Sequence, residues 1–236
     1  MNRSYASRDE ITVQIYTNRK SAGEQLAAAL EAHAKEDPVV VGLPRGGVPV
    51  AFEVARHLQS PLDVFVVRKL GVPWQPELAM GAIASGGVLV RNDEVLRMLG
   101  GAEQALARVE YEERMELKRR ERLYRGSRPA VPITGREVIV VDDGLATGAT
   151  MKAAVLALKQ AGAARVVVAV PVGPPDTCTE LEALADEVVC LQRPAHFMAV
   201  GQWYEDFGQT TDREVQELLE ARPEPRSGRG LDAGSE

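Results

Sequence analysis

The sequence has little cysteine, since Cys178 and Cys190 are the only two in 236 residues. Two thiols are too few for a disulfide framework, and this pair lacks the Cys-x-x-Cys spacing that is common in zinc sites. His33, His57 and His196 are scattered along the chain, so no zinc-binding set can be assembled from them. We therefore expect buried thiols, and neither a disulfide scaffold nor a zinc centre.

Long hydrophobic runs are also absent. No apolar run approaches the length of about 18 residues that a membrane-spanning helix needs. The first residues lack the charged-then-apolar pattern of a secretion signal. The sequence therefore predicts a protein that does not span a membrane and is not secreted, with the cytoplasm as its location.

An excess of basic residues is missing too, because the formal net charge is -6 and the pI is near 5.3. Surfaces that bind nucleic acid non-specifically are usually basic, so we expect no nucleic acid among the partners. A small anionic ligand needs only local positive charge. With 45% hydrophobic and 26% charged residues, the chain can bury one sizeable α/β core.

The most informative stretch is VIVVDDGLATGAT, residues 138–150. Its first four residues are apolar and mostly β-branched, which is typical of a short strand buried on both faces of a parallel sheet. Asp142 and Asp143 end this run. The segment MKAAVLALKQAG that follows Thr150 has helical propensity and apolar residues at helical spacing. The pattern predicts a strand, a loop and a helix.

This loop carries the groups that a phosphorylated sugar requires. Glycines let the backbone approach a ligand closely, and the free N–H groups of a helix's first turn bind phosphate. Carboxylates repel phosphate but accept hydrogen bonds from hydroxyl groups, so Asp142 and Asp143 suit a ribose diol. An ordinary tight turn is the alternative, but it gives no reason for adjacent acids and two threonines. We interpret the loop as a site for ribose 5-phosphate, whose phosphate-binding residues are Gly144, Leu145, Ala146, Thr147, Gly148, Ala149 and Thr150.

The stretch resembles the signature of the type I phosphoribosyltransferases, in which two acids precede a Thr-Gly-x-Thr turn that binds the 5-phosphate of phosphoribosyl pyrophosphate (PRPP). It has neither the Gly-Lys-Ser/Thr of a Walker A loop nor the G-x-G-x-x-G of a dinucleotide site. The resemblance implies transfer of ribose 5-phosphate from PRPP to a small-molecule, nucleobase-like acceptor, with release of pyrophosphate. It implies Asp142, Asp143 and Arg68 as catalytic residues, and it is compatible with a homodimer. It also implies a Mg²⁺ cofactor, held mainly by substrate oxygens with help from Asp142 or Asp143.

A second unit of the same design, PVVVGLPRGGVPVAFEVARHL, lies earlier in the chain. Its strand covers residues 39–41 and its helix begins near Val48. Gly46 and Gly47 place backbone N–H groups at the helix N-terminus and Arg45 adds a charged donor fork, which together suit pyrophosphate. In the family the matching loop binds pyrophosphate, often through an unusual peptide conformation. A plain glycine turn is the alternative.

A third buried strand is predicted at residues 62–67, ending in Arg68 and Lys69. Open α/β sheets bind ligands at the carboxyl ends of their strands. The resemblance assigns both residues to pyrophosphate, with Arg68 the stronger candidate. The alternative is a solvated charge pair.

The alternation of strands and helices predicts a doubly wound α/β fold with a mainly parallel sheet, as one domain over residues 1–221. The phosphoribosyltransferase-like core covers about residues 39–191. An insertion at about residues 70–132 contains an irregular Pro-rich segment at 71–77, a hairpin around Gly86 and Gly87, a short helix capped by Asn92 and a long, solvated, charged helix. In relatives a flap in this position closes over PRPP and excludes water.

The chain ends are predicted with less regular structure. An edge strand is expected at residues 11–16, followed by a helix that Ser21 and Glu24 cap as a capping box and that ends near His33. A last helix is expected at residues 212–221, and the tail at 222–236 should be disordered because of its Pro, Gly, Ser and charged residues.

A small C-terminal hood at about residues 192–221 concentrates aromatic side chains, although only 5% of the residues are aromatic. The cluster either stacks on a flat acceptor or forms a small core that fixes the last helix. Candidate acceptor-binding residues are Val172, Phe197, Trp203 and Tyr204. The hood matches no acceptor class, and a regulator that binds PRPP or a nucleotide without catalysis is the alternative function.

Overall fold

The computed structural model describes residues 14–100 and 102–222. Of the predicted edge strand, residues 11–13 lie outside the described residues, and Tyr16 forms an isolated parallel bridge to Tyr204 rather than part of a strand. The tail for which we predict disorder lies outside the described residues from position 223 onward. In the part of the chain that the structure describes, no helix is long and apolar enough to cross a membrane.

A five-stranded parallel sheet forms the centre of the fold, and its strands lie side by side in the order 62–64, 39–42, 137–141, 165–172 and 187–192. Each strand is short and rich in β-branched residues, as expected for a sheet that is covered on both faces. The predicted doubly wound α/β architecture is therefore confirmed. The strands are β1 (Val39–Gly42), β2 (Leu62–Val64), β6 (Glu137–Val141), β7 (Arg165–Val172) and β8 (Glu187–Gln192).

Alternate residues of the central strands enter two separate hydrophobic cores. Ile139 and Val141 pack in one core, whereas Val138 and Val140 pack in the other. The first core is covered by α1 (Arg19–Ala29), α2 (Gly47–Leu58), α4 (Glu103–Arg125) and α7 (Asp212–Glu220); the second is covered by α5 (Ala149–Gln160) and α6 (Pro175–Glu182). Both faces of the sheet are thus buried.

A second, antiparallel sheet of three strands forms the insertion, in the order β3-β4-β5. Its strands are β3 (Val67–Val72), β4 (Gln75–Ala84) and β5 (Val88–Arg91). The predicted hairpin around Gly86 and Gly87 is confirmed as the β4–β5 connection. The expectation of an irregular segment at 71–77 is wrong for most of its length, because β3 and β4 continue to a tight connection at Pro73 and Trp74; the pairing of the two strands is irregular only on both sides of Gly71.

The strand predicted at 62–67 is divided between the two sheets. β2 ends at Val64, the chain leaves the central sheet at Phe65 and Val66, and β3 begins at Val67. Arg68 and Lys69 therefore lie within a strand of the antiparallel sheet, not at the end of a central strand. The apolar run from Val64 to Val67 is uninterrupted, so the sequence contains no signal of where the chain changes sheets.

The helices of the insertion follow the sequence pattern closely. Asn92 caps α3 (Asp93–Met98) by accepting a hydrogen bond from the Val95 N–H group. The long helix α4 carries three ion pairs at the i, i+4 spacing of a helix, Glu110–Arg114, Glu116–Arg120 and Glu121–Arg125. Its buried residues Leu106, Leu117 and Tyr124 also pack on the core, so the helix is solvated on one side only.

The first helix starts earlier than predicted. Asn18 caps α1, and it forms the capping box with Ser21, so the box predicted between Ser21 and Glu24 is wrong. The helix ends at Ala29, and a 3₁₀ segment, Glu31–Glu36, follows it. A second 3₁₀ segment, Ser85–Gly87, links β4 to β5, and a third, Val200–Trp203, lies in the hood.

Candidate functional site

The site lies where two neighbouring strands of the central sheet end. β1 and β6 are paired in parallel, with Gly42 opposite Val141, so the loops that follow them leave the same edge of the sheet. The Leu43 N–H group donates to the Val141 carbonyl at 2.9 Å. One loop leads into α2 and the other into α5, so two helix N-termini point at the same region.

The two loops approach each other so closely that glycine is required in one of them. A Cβ atom on Gly46 would lie 2.0 Å from Asp143 Oδ2, and one on Gly47 would lie 2.6 Å from the Val141 carbonyl oxygen. The peptide bond between Pro44 and Arg45 is cis, in line with the unusual peptide conformation that the resemblance implied. The structure thus brings Gly46 and Gly47, two of the residues predicted for pyrophosphate, next to the acid pair.

The acid pair carries an unfavourable concentration of charge. Burial raises the pKa of Asp142 well above its ordinary range, and the neighbouring charge of Asp143 raises it further. Burial also raises the pKa of Asp143, although Arg19 opposes this shift by binding its carboxylate. Two adjacent, poorly solvated carboxylates favour a ligand that supplies hydroxyl donors or positive charge.

The predicted 5-phosphate loop is divided into an exposed part and a buried part. Ala146, Thr147, Ala149 and Thr150 are exposed around the N-terminus of α5. Gly148 caps this helix with a φ of 70°, a conformation that favours glycine. These residues can offer backbone N–H and hydroxyl groups to an anion.

The start of the same loop faces the protein interior. Leu145 packs in the core and its N–H group donates to the Val172 carbonyl at 2.9 Å. A Cβ atom on Gly144 would lie 2.6 Å from Val200 Cγ1 of the hood. Leu145 and Gly144 thus fix the start of the loop against the core and the hood. The Val172 side chain is fully buried as well.

The three predicted basic residues are held by acids. Arg45 Nη1 lies 3.8 Å from Asp212 Oδ1 at the start of α7. Arg68 Nε donates to Glu113 Oε2 of α4 at 2.6 Å. Lys69 Nζ lies 3.4 Å from the exposed Glu77. The structure therefore places Arg45 near Asp212 at the start of α7. It places Arg68 and Lys69 on the antiparallel sheet.

Two clefts open beside the acid pair and the phosphate loop. A cleft of about 420 Å³ lies between the antiparallel sheet and α5, and it is lined by Lys69, Thr150 and several small residues. A second cleft of about 380 Å³ is lined by Arg19, Arg45, Gly46, Asp143, Phe207, Gln209 and Thr210. Each cleft contains part of the predicted site, and Asp143 of the acid pair is at the wall of the second.

The hood aromatics pack against each other and against the N-terminal segment. The distance between ring centres is 5.5 Å for Tyr16 and Tyr204, 4.9 Å for Tyr204 and Phe207, and 6.2 Å for Phe197 and Trp203. The Tyr204 hydroxyl donates to the Asp143 carbonyl at 2.5 Å. The cluster therefore forms a small core, but it fixes the acid loop rather than the last helix.

Sequence reasoning missed Arg19 and Thr177. Arg19 Nε donates to Asp143 Oδ2 at 2.8 Å, and the Thr177 hydroxyl donates to the Ala146 carbonyl at 3.1 Å. The only sequence signal for Arg19 is its basic charge directly after the helix cap, where acids are favoured. Thr177 gave no signal.

A resident metal centre finds no support among residues 14–100 and 102–222, where no group of three or more His, Cys, Asp or Glu side chains could hold an ion. A Mg²⁺ ion that arrives with its substrate needs fewer protein ligands. One carboxylate of the acid pair can complete a shell made of phosphate oxygens and waters. The donor set at the site fits such an ion.

Comparison with known proteins adds family information. Residues 12–206 match the family described as the phosphoribosyl transferase domain. Two Mycobacterium tuberculosis proteins, from strains CDC 1551 and H37Rv, each named "Putative phosphoribosyl transferase", are 52% identical over 208 residues, which are 88% of this chain and 47% of theirs. The chain thus spans about half the length of these curated relatives. The crystal structure of TT1426 from Thermus thermophilus is similar to this chain, with 48% sequence identity, a TM-score of 0.79, and coverage of 87% of this chain and 98% of that one.

Proposed function

The chain belongs to the phosphoribosyl transferase domain family, and we propose that it transfers ribose 5-phosphate from PRPP to a nucleobase-like acceptor with release of pyrophosphate. The observation that carries this proposal is the contact between the two loops. A Cβ atom on Gly46 would meet Asp143 Oδ2 at 2.0 Å, so a ligand at one loop also touches the other. PRPP carries a phosphate, a diol and a pyrophosphate on one molecule, so it can engage both loops and the acid pair together.

The helix N-termini supply the binding of the two phosphate groups. The exposed start of α5 takes the 5-phosphate through backbone N–H groups and the hydroxyls of Thr147 and Thr150. The start of α2, with Gly46, Gly47 and Arg45, takes the pyrophosphate. Binding both ends positions the ribose C1 atom over the acid pair.

The acid pair supplies electrostatic stabilisation. As the bond from C1 to pyrophosphate breaks, positive charge develops on the ribose ring, and two half-buried carboxylates stabilise that charge in a poorly solvated site. Their pKa values are raised by burial, which means that ionising them costs free energy. A developing cation and the hydroxyl donors of the diol offset that cost. No side-chain nucleophile is required.

Mg²⁺ belongs to this proposal as a substrate-associated cofactor. When bound, it would neutralise charge on the pyrophosphate and so make pyrophosphate a better leaving group. Asp142 or Asp143 would complete its coordination shell. Arg45 and Arg68 would add positive charge at the pyrophosphate, and Arg68 must first leave Glu113.

The test is a turnover assay. The protein is incubated with PRPP, Mg²⁺ and a panel of purine and pyrimidine bases, and pyrophosphate and nucleotide products are measured. Release of pyrophosphate in equal amount to one nucleotide supports the proposal and names the acceptor. PRPP binding without turnover of any base would favour the regulator instead. A homodimer and a cytoplasmic location stay predictions.

A further inference from the structure

Arg19 occupies a position that its own helix disfavours. It is the first residue of α1, whose first turn contains no acid. The partial positive charge of a helix N-terminus repels a cation at this position. A basic residue that breaks a local rule in this way needs a compensating partner elsewhere in the fold, and such exceptions often mark functional sites.

The partner is the second acid of the pair. Arg19 Nε donates to Asp143 Oδ2 at 2.8 Å, and the two side chains are only 13% and 14% exposed. Arg19 Nη1 donates to the Gly208 carbonyl at 2.7 Å. The guanidinium carbon lies 3.9 Å from the centre of the Phe207 ring. These three contacts fix both the position and the plane of the guanidinium group.

The same contacts fix the carboxylate of Asp143 between two loops. A Cβ atom on Gly46 would lie 2.0 Å from Asp143 Oδ2 and 3.3 Å from Arg19 Nε, so the ion pair packs directly on the loop predicted for pyrophosphate. Gly208 and Phe207 belong to the hood. Arg19 thus connects the acid loop, the pyrophosphate loop and the hood at one point.

The two acids differ in this respect. Asp142 Oδ1 accepts a hydrogen bond from the Asp143 N–H group at 2.9 Å. Within residues 14–100 and 102–222, Asp142 forms no ion pair, whereas Asp143 has Arg19. The acid pair is therefore asymmetric before any ligand binds.

We propose that Arg19 is a positioning residue for the phosphoribosyl transfer: it orients the Asp143 carboxylate, which lines the same cleft as Arg45 and Gly46. The inference rests on the proposed function, because it assigns roles within the same site. In this role Arg19 acts through Asp143, with which it forms its ion pair. A merely structural role would be different, since an anchor for α1 or the hood would act independently of the charge on Asp143.

A double-mutant cycle on PRPP affinity separates these roles. PRPP with Mg²⁺ is titrated calorimetrically into the wild type, Arg19→Gln, Asp143→Asn and the variant with both changes, after thermal unfolding has shown that each is folded. We expect each single change to weaken binding by about tenfold, as for loss of one charged hydrogen bond. The variant with both changes should bind no more weakly than either single variant.

Two further variants complete the test. Arg19→Lys keeps the charge but loses the planar fork, so it should bind PRPP with an affinity between those of the wild type and Arg19→Gln. Arg213→Gln is the matched control, because Arg213 is 85% exposed and, among the residues that the structure describes, it forms an ion pair only with Glu217 on its own helix. Its PRPP affinity should equal that of the wild type.

Each outcome bears on a different claim. If the wild type binds PRPP and the effects of Arg19→Gln and Asp143→Asn multiply, Arg19 acts independently of Asp143 and the inference fails while the proposed function stands. Unchanged affinity in Arg19→Gln has the same meaning. Absence of binding to the wild type overturns the proposed function and, with it, the role of Arg19.

Discussion

Replacing Gly46 with alanine should disturb the acid pair while leaving the fold in place. Gly46 has helical backbone angles, φ -63° and ψ -31°, so alanine fits the backbone. Its Cβ atom would lie 2.0 Å from Asp143 Oδ2 and 2.7 Å from Asp143 Cγ. Because carbon and oxygen atoms in contact need more than about 3 Å, the carboxylate must move by roughly 1 Å. That movement breaks the 2.8 Å bond to Arg19.

The magnitude follows from that lost bond. A hydrogen bond between charged groups contributes about 1.5–3 kcal/mol, which corresponds to a roughly 10- to 150-fold loss of PRPP affinity. Overpacking should lower the free energy of unfolding by about 1–3 kcal/mol. In a chain of this length each kcal/mol lowers the melting temperature by roughly 2–4 °C. Calorimetric titration of PRPP with Mg²⁺ and thermal unfolding measure the two effects separately.

The matched control is Gly208→Ala in the hood. Among the described residues, a Cβ atom there would meet only Asp206 Oδ1, at 3.4 Å, which is an ordinary contact. Its PRPP affinity should stay within about twofold of the wild type, because alanine keeps the backbone carbonyl that accepts from Arg19 and the added methyl group causes no close contact. If Gly46→Ala binds PRPP as tightly as this control, the loop does not depend on the close approach to Asp143, and the reasoning is refuted.

Three other predictions concern charged groups. Glu113→Gln should strengthen PRPP binding up to about fivefold, because it releases Arg68 from a partly exposed ion pair; titration calorimetry measures the change. Arg125→Met should lower the free energy of unfolding by about 3 kcal/mol, because it leaves the carboxylate of Asp63 buried without its cation; urea unfolding measures it. Asp142→Asn should raise the melting temperature at pH 7 while weakening PRPP binding. Burial raises the pKa of Asp142 above its ordinary value of 3.8. The folded protein therefore loses stability as the pH rises above 3.8, because the buried side chain must ionise. The stability gained by replacing it with asparagine should vanish below pH 3.8.

Each of these predictions has its own control or contrary result. The control for Glu113→Gln is Glu110→Gln, which removes the similar ion pair of α4 between Glu110 and Arg114. Unchanged or weaker PRPP binding in Glu113→Gln would contradict a role of Arg68 at pyrophosphate. For Arg125→Met the control is Arg119→Met, since Arg119 is 61% exposed; equal losses in both would contradict the buried-pair argument. A stabilisation by Asp142→Asn that persisted at pH 3 would contradict the charge-based explanation.

The parts of the fold that the sequence predicted well depend on local patterns. The strands β1 and β6, their loops and the helices after them are each specified by residues within about 20 positions, through β-branched runs, glycines and helical spacing. The α4 ion pairs are local for the same reason. Local signals were enough to identify the acids, both glycine-containing loops and the family.

The parts that the sequence did not predict depend on contacts between distant residues. Arg19 and Asp143 are separated by 124 positions, and no local pattern connects them. The change of sheet after Val64 was hidden because the apolar run continues through Val67. The sequence left two roles open for the hood for a similar reason, since Tyr204 packs on Tyr16, which is distant in the sequence.

The most direct test of the central claim is calorimetric titration of PRPP, with Mg²⁺, into the wild type and into the variant that combines Asp142→Asn with Asp143→Asn. The account predicts that the wild type binds PRPP at one site and that the folded double variant loses this binding, because the loops after β1 and β6 form the site around the two acids. Absence of binding to the wild type, or wild-type affinity in the folded double variant, would contradict it.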